Sequence, residues 1–253
     1  MAQNKIALVT GGSRGLGRNM AIKIAQKGID VIITYNSQQE EAAAVVKEIE
    51  KQGQKAVALQ LNVAEVKNFA PFITQVAAAL KDTFQAEKID FLINNAGTAL
   101  YAPFAETTEE QLDAMVAIHF KAPFFLTQQV LPHIADGGSI INISSGLTRL
   151  SYPGSSTYAS MKTAIETLTR YQAKELGDRR IRVNVVAPGA IETDFGGGRV
   201  RDNRDINDHI ASLTALGRVG LPDDIGGVVA FLCTEDARWI NAQRIEVSGG
   251  QML

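Results

Sequence analysis

The sequence of 253 residues predicts an α/β fold, a doubly wound parallel sheet of seven strands with helices on both faces. Three observations predict it. Short runs rich in Val, Ile and Leu alternate with longer segments whose apolar residues recur every three or four positions, the pattern of right-handed β-α-β crossovers. The first apolar run leads into a glycine cluster that opens a helix. The chain shows no Pro/Ser-rich linker, charge block or internal repeat, so residues 1–253 are expected to form a single domain.

Residues 5–10 (KIALVT) are the first buried strand. Gly11-Gly12-Ser13-Arg14-Gly15-Leu16-Gly17 follows, and Leu16, Met20, Ile24 and Ala25 then recur at helical spacing until Gly28. Glycines there let the chain turn tightly and bring amides to a diphosphate at the helix N-terminus, where the dipole favours an anion. The spacing is TGxxxGxG rather than the commoner GxGxxG, and taken alone it fits a plain Gly-rich turn as well. Residues 30–35 (DVIITY) form the second strand and 38–52 a helix with Ala42, Val45, Val46 and Ile49 inward. Residues 56–61 form the third strand, 65–80 the third helix and 89–94 the fourth strand. That strand ends in Asn94-Asn95-Ala96-Gly97, amides at the carboxyl end of a parallel strand, where ligands bind in such sheets. The same residues are also ordinary turn formers.

Residues 109–131 read as one long helix with Leu112, Met115, Val116 and His119 on a stripe. Residues 139–144 are the fifth strand, with Ser145 at its end. After a further helix, residues 181–187 are the sixth strand, ending in Pro188-Gly189. Gly196-Gly197-Gly198 breaks any regular structure ahead of a polar, mixed-charge segment running to about Asp208. A final helix begins at Pro222, a residue favoured at the first helical position, and residues 244–247 are a seventh, edge-like strand.

Composition narrows the function classes. At 45% hydrophobic and 21% charged, the chain has the make-up of a globular domain, and one of this length buries about three quarters of its unfolded surface. Its one cysteine, Cys233, excludes an intramolecular disulfide and sits in an apolar run as buried filler. Residues 1–5 run straight into the first strand, which leaves no room for a signal peptide, and no apolar run approaches a membrane span. A net charge of −2 carries no footprint for nucleic acid. No metal ligand set stands out. The expected setting is cytoplasmic, without a nucleic-acid or membrane partner.

The candidate chemistry centres on Tyr158-Ala159-Ser160-Met161-Lys162, which opens a helical segment continued by Ala164, Ile165, Leu168, Ala173 and Leu176. Residues four apart share a helix face, so a phenol and an ammonium can meet over one spot. A cation about 4 Å away stabilises a phenolate by at most ~4 kcal/mol at an effective dielectric of ~20, which brings the phenol toward neutral pH. A Tyr-Lys pair at this spacing is common on helices of any function, so the remaining motifs must decide.

Thr10-Gly11-x-x-x-Gly15-x-Gly17, Asn94-Asn95-Ala96-Gly97, Ser145, Tyr158-x-x-x-Lys162, Pro188-Gly189 and Thr193 occur in that order. Together they resemble the short-chain dehydrogenase/reductase family, in its single-domain Rossmann-like branch. Gly217-Arg218-Val219-Gly220-Leu221-Pro222 and Ser248-Gly249-Gly250 are similar to its 3-oxoacyl-carrier-protein-reductase-like members. The resemblance implies that Tyr158 donates a proton to a substrate carbonyl, that Lys162 lowers the phenol pKa and holds the nicotinamide ribose, and that Ser145 hydrogen-bonds the substrate oxygen. It implies a nucleotide site built from Gly11, Ser13, Arg14, Gly15, Leu16, Gly17, Asn36, Ser37, Asn62, Val63, Asn94, Ala96 and Gly97, with Pro188, Gly189, Ile191 and Thr193 gripping the nicotinamide amide. No acid follows the second strand at Asn36-Ser37, and Arg14 offers a fork of donors suited to a phosphate, so NADP(H) is expected over NAD(H). Asn62 stands where the family usually has aspartate at the adenine. His119, a candidate catalytic residue, stands where the family usually has an asparagine, at a helix opened so that a main-chain carbonyl holds a relay water. Its imidazole, with a reference pKa of about 6.5, could also pass protons itself, and a histidine on an apolar stripe fits plain packing.

The expected activity is reversible NADP(H)-dependent reduction of a carbonyl to an alcohol. A non-catalytic nucleotide sensor, or a sister dehydratase or epimerase, stays open beside it. Substrate choice falls to residues 98–105, 147–152 and 195–213, whose Tyr101, Phe104, Leu150, Tyr152 and Phe195 suit an apolar or aromatic molecule. The resemblance also implies a homotetramer.

Overall fold

The computed structural model describes residues 4–253; the expectation about the N-terminus rests partly on residues 1–3, outside that range. Seven parallel strands form one sheet: β1 (Ile6–Val9), β2 (Asp30–Tyr35), β3 (Ala56–Gln60), β4 (Ile89–Asn94), β5 (Ile134–Ile143), β6 (Arg182–Pro188) and β7 (Arg244–Val247). Their spatial order is β3-β2-β1-β4-β5-β6-β7, so strand order reverses between β1 and β4. In doubly wound sheets the crevice outside the strand ends at such a reversal receives the ligand.

The helices are α1 (Gly15–Ala25), α2 (Gln39–Glu50), α3 (Phe69–Ala79), α4 (Glu109–Val116), α5 (Ala122–Val130), α6 (Ser156–Glu175), α7 (Arg199–Asp202), α8 (Arg204–Ser212) and α9 (Pro222–Leu232). Side chains alternate across a strand. Ala7, Val9, Val31 and Ile33 therefore pack with α1, α2 and α9, while Ile6, Leu8 and Ile32 pack with α3, α5 and α6 around Phe69, Phe72 and Val76. Both faces of the sheet are dry, which explains why its central strands read as continuous apolar runs. Cys233 is buried in the first of these cores, and burial pushes its thiol up to about 12. No helix among the described residues is long and apolar enough to cross a membrane.

Three segments depart from their sequence boundaries. β5 begins at Ile134, five residues before the apolar run, and its pairing with β4 jumps in register between Ile89 and Phe91, beside Gly137 at φ 80°. The long fourth helix is interrupted: Ala117–Lys121 forms a wider π-turn between α4 and α5. Pro123 has no N–H for the carbonyl four residues back, that of His119, so a regular α-turn would leave that carbonyl unpaired. The polar segment after Gly196-Gly197-Gly198 folds into α7 and α8, the latter capped by Asn203, whose Oδ1 accepts from the amide of Ile206 at 3.1 Å.

Candidate active site

The cleft at the carboxyl ends of β1, β4, β5 and β6 has a volume of about 820 Å³. Its inner rim is the glycine loop. Gly11 and Gly15 take positive φ (66° and 54°), and a Cβ on Gly17 would stand 2.1 Å from the carbonyl oxygen of Gly11. Glycine is thus demanded by backbone geometry at these positions. Thr10 Oγ1 accepts from the amides of Asn95 and Ala96 at 2.9 and 3.0 Å, and Asn95 Nδ2 donates to the Thr10 carbonyl at 2.9 Å. These bonds fasten the loop to the end of β4. Helix α1 starts at this loop with no side-chain cap and no acid in its first turn, so its N-terminus is open to an anion.

Arg14, preceding α1, extends its guanidinium to Asp194, with Nη1–Oδ2 at 2.7 Å. Asn36 and Ser37 are exposed at the end of β2 with no acidic neighbour in that turn. Asn62 folds its amide locally: Oδ1 accepts from the amide of Ala64 at 3.1 Å, and Nδ2 donates to Glu65 at 3.0 Å.

At the other end of the cleft, α6 brings Tyr158 and Lys162 beside Ser145. Lys162 is 5% exposed and donates to the carbonyl of Ile143 at 2.8 Å; its Nζ lies 5.5 Å from the Tyr158 ring centroid. Burial lowers Lys162 to about 8, still mostly cationic at neutral pH. Burial also raises the Tyr158 phenol well above its usual value, aided by Tyr101 and opposed by the Ser145 hydroxyl. That shift runs against the lowering expected from the Lys162 cation, and the Tyr158 side chain is itself only partly buried in the cleft wall.

His119 lies on the π-turn, 2% exposed. Its Nε2 sits 2.8 Å from the carbonyl and 3.4 Å from the amide nitrogen of Thr98, and Nδ1 has no protein partner. The ring meets Tyr158 edge-on, centroids 5.0 Å apart. Burial first and the Lys162 charge second lower the imidazole to about 3. Behind it a cavity of about 20 Å³, room for one water, is lined by Asn94, Ile118, His119 and Lys162.

Of the predicted residues, Ser145, Tyr158, Lys162, His119, the glycine-loop set, Asn36, Ser37, Asn62, Val63, Ala96, Gly97, Pro188, Gly189, Ile191 and Thr193 all line the large cleft. Asn94 does not. Its Nδ2 turns back under the sheet to donate to Asn142 Oδ1 and Thr127 Oγ1, at 2.8 and 3.0 Å, two buried acceptors that face it from β5 and α5. Asn95 takes the place beside the loop. Within the stretch 195–213 expected to set substrate choice, Arg199, stacked 5.2 Å over Tyr101, and Asp205 and His209 of α8 line the outer wall, though the sequence singled out only Phe195 there.

Known proteins share this arrangement. The family model described as enoyl-(acyl carrier protein) reductase matches residues 11–252. A hydroxynaphthalene reductase-like protein, Arp2, from Metarhizium brunneum is 36% identical over 259 residues, covering 98% of this chain and 95% of the relative. This chain belongs to the short-chain dehydrogenase/reductase family. Another member, FrzI of Cladobotryum sp., is 38% identical and covers 98% of this chain and 95% of its own. Among solved members, the promiscuous reductase LugOII, which catalyses keto-reduction at C1 during lugdunomycin biosynthesis, superposes with a TM-score of 0.93 at 38% identity, covering 99% and 98% of the two chains. The landomycin C-6 ketoreductase LanV, solved with NADP and rabelomycin, gives 0.90 at 39% identity, covering 99% of this chain and 97% of its own. The short-chain dehydrogenase/reductase fold thus extends over nearly the whole chain, and the protein is an oxidoreductase by family.

Proposed function

We propose that this protein is an NADP(H)-dependent carbonyl reductase that converts a ketone or aldehyde to an alcohol and runs in reverse as an alcohol dehydrogenase. The observation that carries the reading is the placement of Ser145, Tyr158 and Lys162 in the same cleft as an uncapped helix N-terminus bearing Arg14. NADP(H), when bound, supplies or accepts the hydride. The glycine cradle and the α1 N-terminus fit a diphosphate, since side chains are excluded where the anion must approach. Arg14 would hold the 2′-phosphate, and residues 188–191 with Thr193 the nicotinamide amide. Lys162 would hold the ribose hydroxyls.

Tyr158 donates its proton to the substrate oxygen as charge develops there. A phenol raised by burial is fully protonated before the reaction and so stocked with the proton that reduction consumes. The Ser145 hydroxyl shares the developing charge, a contribution that grows toward the transition state. The Lys162 cation stands close enough to ease the phenolate that remains. The water-sized cavity behind Lys162 suits the relay that the family resemblance implies. Ketoreductases solved with NADP support the cofactor, and the aromatic wall of Tyr101, Tyr152 and Phe195 supports a flat, apolar ketone. Exposed Phe124 on α5 and Tyr171 on α6 support self-association as a homotetramer.

Tyr158→Phe tests the reading. NADPH is expected to bind as in the parent, while turnover on a responsive ketone falls ~10²-fold or more. A near-normal kcat removes Tyr158 from the reaction. A parent that binds NADPH but oxidises it with no member of a ketone panel favours the sensor.

A further inference from the structure

We propose that Glu166 is a positioning residue for Ser145, acting through the turn that carries the serine. This rests on the role given to Ser145 above. Glu166 lies one helical turn beyond Lys162 on α6, with its side chain 12% exposed. Its Oε1 is a shared acceptor for three donors from other segments: Ser144 Oγ at 2.7 Å, Thr148 Oγ1 at 2.8 Å and Arg244 Nε at 2.8 Å. Ser144 precedes Ser145, and Thr148 follows it in the 3₁₀ turn Gly146–Thr148. The carboxyl group therefore grips the chain on both sides of the serine.

Glu166 is not the sole link between α6 and this strand end: Lys162 Nζ also donates to the Ile143 carbonyl at 2.8 Å, but Glu166 alone among the described α6 residues grips both Ser144 and Thr148. Within the turn, Ser145 Oγ accepts from the amide of Leu147 at 3.2 Å, and the Ser145 carbonyl lies 3.0 Å from Thr148 Oγ1, whose single proton it shares with Glu166. Tyr158 and Lys162 belong to α6; Ser145 belongs to the end of β5. Their separation depends on what joins helix to strand end. Lys162 with the Ile143 carbonyl makes one joint, and Glu166 with Ser144 makes a second, nearer the serine, with Ser144 Oγ also 3.3 Å from the Lys162 carbonyl. Arg244 anchors this second joint to β7. It donates to Thr148 Oγ1 at 3.0 Å and to Glu246 at 2.9 Å, and Glu246 in turn receives both Nε and Nη2 of Arg149, the residue after Thr148. A half-buried network whose members all have partners holds a loop more tightly than isolated surface pairs do. Small misplacement of a reacting group is costly, up to about a hundredfold for about 1 Å.

The test is a double-mutant cycle between Glu166→Ala and Ser145→Ala, read as kcat and KM for ketone reduction and as NADPH Kd by fluorescence titration. In the parent, Glu166→Ala is expected to lower kcat about tenfold or more with Kd within about twofold; in the Ser145→Ala background it is expected to cost less than about twofold further. Glu166→Gln keeps an acceptor oxygen at the same reach and is expected to restore most of kcat. If Glu166→Ala does not fold, Thr148→Val removes only one of the bonds and serves in the same cycle, with a few-fold loss that vanishes without the Ser145 hydroxyl. Full additivity with Ser145→Ala, or a kcat loss matched by lost NADPH binding, overturns the proposal. Retained activity in Tyr158→Phe would instead break the reading of the site. An inactive Tyr158→Phe together with an additive cycle removes the role of Glu166 alone.

Discussion

The two sides of the cleft are built differently. The inner side, from the glycine loop across Asn95–Gly97 to Pro188–Gly189, is made of main chain in close contact. A Cβ on Gly17 meets the Gly11 carbonyl at 2.1 Å, and one on Gly189 meets Ser248 Cα at 2.9 Å. The outer side, α7, α8 and the Tyr101 loop, is made of side chains with room around them. Tyr101 and Phe195 are 48% and 42% exposed, and a Cβ on Gly197 meets nothing within 4 Å. A main-chain surface leaves few choices of residue and holds a fixed ligand; a side-chain surface can be refitted to a different substrate without disturbing the sheet beneath it.

Matched glycine substitutions would show that difference at its largest. Gly17→Ala forces the loop apart, at about 1–3 kcal/mol or more for overpacking, and is expected to abolish measurable NADPH binding. Gly197→Ala has open space but φ 75°, so it should cost only about 1 kcal/mol and leave NADPH affinity near that of the parent. Thermal melts and nucleotide titrations of both variants check this. Equal losses of affinity would erase the distinction between the sides.

Arg14 bridges the two. It stands on the inner rim and pairs with Asp194, which opens the segment leading to the outer wall. The pair is half exposed, so it contributes little to stability and is free to exchange for a better anion. Arg14→Ala should raise KM for NADPH about ten- to a hundredfold and leave NADH use nearly unchanged, because the lost bond is charge-assisted and made to the 2′-phosphate alone. Asp194→Asn should act oppositely and more weakly, tightening NADPH by a few-fold as the competing carboxylate is removed. A parent that oxidises NADH as efficiently as NADPH would defeat both expectations.

The same contrast explains what the sequence made legible. Strand, glycine turn and helix could be placed because Gly11, Gly15 and Gly17 answer to backbone geometry, which is local. All seven strands were found, and even the opening of the long helix has a local cause in Pro123. Asn94 and Asn95 could not be told apart, because which amide turns into the sheet depends on Asn142 and Thr127, 48 and 33 residues away. The Glu166 joint was illegible for the same reason: its donors lie 22, 18 and 78 residues distant. Helix α8 had a usable signal in Asn203 as a cap with Ile206 and Ile210 behind it, masked by the glycines and charges around it, whereas α7 follows Gly198 with no side-chain cap.

The smallest effect on turnover is expected at His119, where the inner side meets the tyrosine. Its imidazole is lowered to about 3, chiefly by burial, so it stays neutral throughout the range in which such an enzyme is assayed. A group that does not titrate cannot shape the pH profile, and His119→Asn should leave the profile of kcat between pH 5.5 and 8 unchanged. The stability of the protein tells a different story. The unfolded chain binds a proton at this histidine below about 6.5, while the folded chain does not until about 3. Between those values folding becomes less favourable as the pH falls, by up to about 1.4 kcal/mol per unit. The parent should therefore lose melting temperature faster than His119→Asn as the pH is lowered from 6.5 toward 4, and the two should run parallel above pH 7. A loss of ~10²-fold in turnover for His119→Asn, with its melt intact at pH 7, would instead mean that the unpartnered Nδ1 serves the reaction directly.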